Sequence, residues 1–320
     1  MTILDVAQKA EPQAACTATT TRQVVGIGYA ALDYLGIVRR MPQFDDVEAV
    51  EVEEWTMSGG GPVSTALVAL ARWGVPVGYV GLLGNDMAGW QIRQEFTREG
   101  VDVSNLRHQS GERSPTVLVL VEAETGRRAF IAFKDPETSL TLTPQDHELI
   151  KKAEFLHLDG WYADVGIPAA RVARAAGVRV SLDAYKVDRR TPEWVSVTDI
   201  LIATESFPQR YTGQSDLIEA SRLLLSQGPS LVVTTLSERG CLVATAEGHF
   251  YMPGFAVRVV DTTGAGDVFH GAFLYGLLQN WDLAWAARFA NASGALACRK
   301  LGGRASIPTL SELHRFLDRS

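Results

Sequence analysis

Cysteine is scarce: Cys16, Cys241 and Cys298 are the only three in 320 residues, and they lie far apart. An odd, scattered set supports neither a disulfide framework nor a zinc site and fits a reducing compartment, so a cytoplasmic location is expected. Long apolar runs are missing too. None reaches the ~18 residues that a spanning helix needs, so no membrane partner is expected. Positive charge is in deficit, with 30 Lys and Arg against 37 Asp and Glu, a net charge of -7. That balance argues against a nucleic-acid partner. No internal repeat and no clear linker interrupts the chain. Residues 1–21 lack periodicity and the basic-then-apolar order of a signal peptide, and they read as a disordered tail. What remains, residues 22–320, belongs to a chain that is 46% hydrophobic, enough for a sizeable core.

Apolar periodicity then supplies the elements. Val24–Ile27 reads as a buried strand ending in Gly28, and Tyr34–Val38 as another. Ala49–Met57 alternates, as a half-buried strand does, before Gly59-Gly60-Gly61 breaks the pattern. Pro62 suits a first helical turn, with Val63, Leu67 and Leu70 at helical spacing behind it. Gly78–Leu83 is an expected strand and Trp90–Glu99 an expected helix. Thr116–Glu122 and Arg128–Phe133 flank a hairpin turn at Glu124-Thr125-Gly126. Strands at Phe155–Leu158, Val178–Leu182, Ile200–Ile202, Leu231–Thr234 and Ala256–Val260 alternate with helical stretches, one of them Pro168–Ala176. This alternation implies an α/β body with a mostly parallel sheet covered on both faces. The early strands and the hairpin do not fit it. They are expected to form a small sheet, from about 34–57 and 114–134, that acts as a lid over the strands' carboxyl ends.

The most informative stretch runs Asp261-Thr262-Thr263-Gly264-Ala265-Gly266-Asp267-Val268-Phe269-His270-Gly271-Ala272-Phe273. Small residues open a helix whose face carries Phe269, Phe273 and Leu277. Gly264, Ala265 and Gly266 let the backbone approach a ligand, and the free N–H groups of a helix start favour an anion. Asp267 sits beside that anion site, where phosphoryl transfer needs a base for the attacking hydroxyl. No raised pKa is required of it. Close helix packing with a first-turn carboxylate would use the same residue types.

That string resembles the carboxyl-terminal signature of the ribokinase-like (PfkB) sugar kinases. Gly59-Gly60-Gly61-Pro62 resembles their amino-terminal diglycine signature, Gly84-Asn85-Asp86 with Gly89 their Gly-x-Asp segment, and Glu99-Gly100-Val101-Asp102-Val103 a further family string. The likeness spans about residues 22–318. It implies a three-layer α/β sandwich with a β lid and transfer of the ATP γ-phosphate to a hydroxyl. By position it implies Asp267 as base and the Gly264–Gly266 amides as anion hole. It also implies Asp33, Gly59, Gly60, Gly61 and Asp159 against the sugar, with Ser64 where many members have asparagine. Trp161 could stack on a sugar face, although packing is the commoner use of such a residue. For the nucleotide it implies Thr235, Ser237, Gly240 and Asn291. For a monovalent cation, potassium in particular, it implies Asp261, Thr263, Ala297, Gly302 and Ser306. A homodimer through the lid is a further implication.

Two departures shape the expectation. Ser64 for asparagine puts ribose in doubt. Thr204-Glu205-Ser206-Phe207 replaces a usual Asn-x-x-Glu that acts on magnesium through water, which leaves Mg2+ to the ATP phosphates and waters, with Glu205 as a substitute candidate. Gly59–Pro62 together with Gly302-Gly303-Arg304-Ala305-Ser306-Ile307-Pro308 looks nearest to the ketohexokinase and sulfofructose-kinase branch. A sulfonate would need a fixed cation in the pocket; Lys134 and Arg113 read as solvated lid charges, and no arginine is evident beside Asp159. A neutral ketohexose-like sugar is therefore the expected acceptor, with nucleoside kinase, sulfosugar kinase and non-catalytic sensor as alternatives. A nicotinamide-dependent dehydrogenase fits poorly: Gly26-x-Gly28 lacks its third glycine at Ala31, and Asp33 comes too early for the ribose acid.

Overall fold

The computed structural model describes residues 24–133, 139–305 and 307–320. The expected tail (1–21), Lys134 and Ser306 lie outside the described residues. In chain order the elements are β1 (Val24–Ile27), β2 (Ala31–Val38), β3 (Val52–Gly60), α1 (Pro62–Arg72), β4 (Val77–Tyr79), β5 (Gly81–Gly84) and α2 (Met87–Arg98). Next come β6 (Val101–Asp102), β7 (Leu106–Gln109), β8 (Thr116–Glu122), β9 (Arg128–Ala132), α3 (Pro144–Lys152), β10 (Phe155–Leu158), α4 (Ala163–Ala175) and β11 (Arg179–Ala184). Then follow α5 (Thr191–Ser196), β12 (Ile200–Thr204), α6 (Ser206–Thr212), α7 (Leu217–Leu225), β13 (Leu231–Thr235), β14 (Cys241–Thr245) and β15 (Gly248–Met252). Three helices end the chain: α8 (Ala265–Leu278), α9 (Leu283–Ala297) and α10 (Leu310–Leu317).

Nine strands form the main sheet in the order β15-β14-β13-β12-β11-β10-β1-β4-β6. It is parallel from β13 to β6, and β14 and β15 add an antiparallel hairpin at one edge. Successive strand residues point to opposite faces, and both faces are apolar. Val24, Ile200, Ile202 and Val233 pack with α1, α8 and α9, while Val25, Leu201, Ala203 and Val232 pack with α4, α5 and α6. Two buried cores flank one sheet, and this makes the fold a three-layer α/β sandwich.

A second, four-stranded sheet, β3-β2-β8-β9, stands apart from the first. Its inner face carries Leu35, Val117, Val119 and Val121, which pack with Tyr29 and Leu301 of the body. The strand–turn–strand reading around Gly126 matches β8 and β9, and Pro62 opens α1.

Several expectations are corrected. Gly59 and Gly60 lie inside β3, paired with Leu32 and Ala31, so the turn begins only at Gly61. The alternating residues of β3 are exposed on both faces as far as Trp55, not half-buried. Gly78–Leu83 is two strands in two different sheets, separated at Val80. Helix α4 begins five residues before Pro168, which it accommodates. Ala256–Val260 is no strand: its apolar alternation finds no neighbouring ladder, and β14–β15 occupies the sheet edge instead.

Candidate active site

Helix α8 is apolar almost all round because it is buried between α1 and α9; Phe269, Ala272, Phe273 and Leu274 hold it there. Gly271 lies so close to α1 that a Cβ would sit 2.8 Å from the Ala66 carbonyl oxygen. This packing fixes the helix start. Gly264 caps it at φ +75°, a left-handed conformation that glycine adopts without the Cβ penalty, and a side chain there would run into the Gly303 backbone. Gly266 faces open space, and Asp267 occupies the third helical position. Burial pushes the Asp267 carboxyl up to about 7; the nearby Asp183 charge adds to the shift, while Arg304 and Arg128 oppose it. The strongly raised value was not expected from the sequence.

Asp33 sits in β2, buried, opposite Ser58 of β3. A Cβ on Gly60 would lie 2.0 Å from the Asp33 carboxylate, so only glycine lets the two strands present backbone and carboxylate side by side. Burial raises Asp33 to about 7, against the pull of Arg304. Ser64 donates to the Gly60 carbonyl oxygen from the first turn of α1. Arg304, which the sequence reading did not assign, is 1% exposed and the bulkiest fully buried side chain among the described residues. Its Nη2 donates to Ser64 Oγ (2.9 Å) and to the Gly60 carbonyl (3.3 Å), and its Nη1 lies 3.1 Å from Glu95 Oε1.

Asp159 directly follows β10, 2% exposed, with Oδ2 accepting from the Tyr29 N–H (2.7 Å) and Oδ1 from the Trp161 N–H (3.2 Å). Trp161 stacks on Tyr29, centroids 4.6 Å apart, so its ring is engaged in packing. Asp183, at the end of β11, is pushed up to about 7 by burial, as is Asp159. His270, one turn beyond Asp267, faces Asp183 at 3.6 Å, and burial pushes its imidazole down to about 3. Asp183, Asp159 and Tyr185 line one recess beside Lys186 and Trp194.

On the opposite side of the sheet's carboxyl edge, Thr235 ends β13, and its hydroxyl donates to the Ala203 carbonyl. Ser237 adopts φ +56°, and Gly240 adopts φ +99°, where a Cβ would collide with the Met252 carbonyl. Asn291 is buried and its Nδ2 donates to the Met252 and Pro253 carbonyls (3.1 Å each), which ties α9 to the end of β15 rather than bonding within its own helix. Glu205 pairs with Arg239, and Phe207 is core. Asp261 is fully buried: Oδ1 accepts from the Thr263 N–H and hydroxyl, and Oδ2 from the Gly302 N–H (2.9 Å). Ala297 ends α9 just before the loop carrying Gly302 at φ +94°. Arg128, also unassigned from sequence, reaches from β9 to donate to Thr263 Oγ1 (3.2 Å), with Asp261 at 3.9 Å. It joins the small sheet to the start of α8.

The structure therefore brings Asp267 within electrostatic reach of Asp33 and of Asp183, with Gly60 packed on the Asp33 carboxylate. Arg304 and Arg128 came to light only from the fold, because their partners are remote in sequence. A sequence signal for Arg304 was available, a large cation inside a run of small residues.

Comparison with known proteins gives a consistent result. The sequence model of the pfkB family carbohydrate kinases matches residues 21–310. The aminoimidazole riboside kinase of Salmonella typhimurium is 33% identical over 81% of this chain and 87% of its own. The fructokinase of Solanum tuberosum is 28% identical over 92% of this chain and 96% of its own. The structure of Arabidopsis thaliana ribokinase complexed with ribose and ATP superposes with a TM-score of 0.81 at 23% identity, covering 94% of this chain and all of that one, a likeness of fold.

Proposed function

The chain belongs to the pfkB family of carbohydrate kinases and is an ATP-dependent sugar kinase, and on that premise we propose that it phosphorylates a neutral, ketohexose-like sugar with Asp267 as general base. The observation that carries this reading is Asp267 in the first turn of α8, directly after the left-handed Gly264. The acceptor binds against Asp33, the β3 end at Gly59–Gly61, Ser64 and Asp159. The small sheet, a lid over residues of the single domain 22–320, closes and excludes water. Asp267 takes the hydroxyl proton as the oxygen bonds to the γ-phosphorus and the bond to ADP breaks. The Gly264, Ala265 and Gly266 amides and Arg128 offset the developing charge. ATP lies along Thr235, Ser237 and Gly240 with its base near Asn291.

Among the described residues no group of three His, Cys, Asp or Glu side chains could hold a metal ion. Magnesium would ride on the ATP phosphates, where it would neutralise their charge. Asp261 is buried with Arg128 Nη1 at 3.9 Å, and a monovalent ion beside Thr263, Ala297 and Gly302 would add positive charge there. A riboside acceptor is a second reading, favoured by the 33% identity to the riboside kinase. A sulfosugar is disfavoured because the buried Arg304 is engaged by Glu95.

The outer face of the small sheet presents Tyr34, Trp55, Met57, Leu118 and Ile131, and it would meet a second copy of the chain.

ADP release with fructose, tagatose, ribose, sulfofructose, 2-keto-3-deoxygluconate and nucleosides tests the assignment. Strong turnover with a ketohexose bears it out. Turnover with nucleosides alone moves the acceptor to the riboside reading, and silence on every acceptor overturns it.

A further inference from the structure

We infer that Arg304 and Glu95 are positioning residues that hold the acceptor strand in register with the phosphate-binding loop. The inference rests on the kinase reading above. Arg304 Nε and Nη2 and Glu95 Oε2 are hydrogen-bonded to the frame of the site, while Arg304 Nη1 has the Glu95 ion-pair contact and no hydrogen bond. Arg304 Nη2 grips Ser64 Oγ and the Gly60 carbonyl, its Nε reaches Thr65 Oγ1 (3.4 Å), and its guanidinium lies over the Phe96 ring at 5.4 Å. Glu95, from the same helix as Phe96, accepts the Gly59 N–H (2.6 Å) with Oε2 and faces Arg304 Nη1 with Oε1. The last two residues of β3 are therefore held by a paired carboxylate and guanidinium, Glu95 on the Gly59 N–H and Arg304 on the Gly60 carbonyl.

The fit leaves no slack. A Cβ on Gly59 would lie 2.0 Å from Arg304 Nη1, and one on Gly60 2.0 Å from Asp33 Oδ2. A shift of the strand end would carry it away from Asp33, the residue assigned to the sugar hydroxyls.

The loop that carries Arg304 ties this strand to the chemistry. Gly303 packs against Gly264, the cap of α8, and the Gly302 N–H donates to Asp261. Arg72 Nη1 fixes the Arg304 carbonyl (2.7 Å) and is itself clamped by Glu99. Three consecutive residues, Gly302, Gly303 and Arg304, thus touch the Asp261 carboxylate, the anion-binding turn and the acceptor strand. A buried ion pair is a weak source of stability once its desolvation is counted. Its use here is geometric, because transfer depends on holding the attacking oxygen and the phosphorus in line, and an error near 1 Å costs about 100-fold.

The test is steady-state kinetics of Arg304→Lys, Glu95→Gln, Arg304→Gln and the double variant Glu95→Gln/Arg304→Gln, with the acceptor that the native chain phosphorylates. Arg304→Lys keeps a cation opposite Glu95 but loses the planar fork, so it is the variant that retains the fold. The expected result is a rise in acceptor KM of about tenfold or more and a fall in kcat of similar size, with KM for ATP within about twofold. The double variant, with two neutral amides able to bond each other, should show a smaller acceptor KM than the product of the single effects. Unchanged acceptor KM in Arg304→Lys, or equal losses toward acceptor and ATP that track a lower Tm, would overturn the positioning role. Failure of the native chain to transfer phosphate to any acceptor would instead overturn the kinase reading, and the positioning role with it.

Discussion

Asp267 and Asp33 are carboxylates held near neutrality by burial, and this sets the pH behaviour of the site. As a general base Asp267 would have to be ionised to accept a proton, and its folded value of about 7 lies above the ordinary carboxylate range. Activity should therefore be present above that value and be lost as pH falls through it. Asp33, Asp159 and Asp183 are also raised to about 7, so the acid limb belongs to the set. The kcat/KM for the acceptor is expected to rise between about pH 6 and 8, and a profile flat across that range would contradict the assignment. Asp183→Asn should move the limb to lower pH, since it removes a like charge that raises Asp267. The same substitution bears on stability with a definite sign. A carboxyl whose folded pKa is raised opposes folding at high pH and ceases to do so below its unfolded value. Asp183→Asn should thus raise the Tm of the ligand-free protein at pH 8 and do so less at pH 4.5; an equal effect at both would show that Asp183 is not the ionised group.

At the scale of elements, the start of α8 is a tightly constrained feature. Gly264→Ala would put a Cβ about 2.6 Å from Gly303 in a left-handed backbone conformation, which costs about 1–2 kcal/mol before any clash is counted. It should lower Tm and cut kcat at least about tenfold; an active, fully stable variant would contradict the role of that turn. Local signals made this element legible. The glycines, Asp267, Phe269 and Phe273 lie within one short stretch, and the spacing of the apolar residues follows the helix. Arg304 was not legible in the same way, because Gly60 is 244 positions away and only the fold unites them. The strand expected at Ala256–Val260 failed for the converse reason. Alternation makes a strand only where a neighbouring ladder is free, and the edge beside β14 is taken by β15.

At the scale of the whole molecule, strand–helix alternation was enough to read the three layers, since a sheet covered on both faces needs continuous apolar strands. The small sheet was legible as an exception to that alternation, but its exposed outer side was not, because β3 presents Val52, Trp55 and Met57 to solvent. A second copy covering this face would account for the exposure. Replacing Trp55 and Ile131 by Glu should convert a dimer to a monomer in sedimentation analysis, and a native chain that sediments as a monomer at all concentrations would contradict the pairing. The direct test of Asp267 as the general base is ADP release by Asp267→Asn beside the native chain, with ATP binding followed in parallel. The kcat is expected to fall by roughly 10²–10⁴-fold with ATP affinity little changed; near-full turnover would contradict the base role.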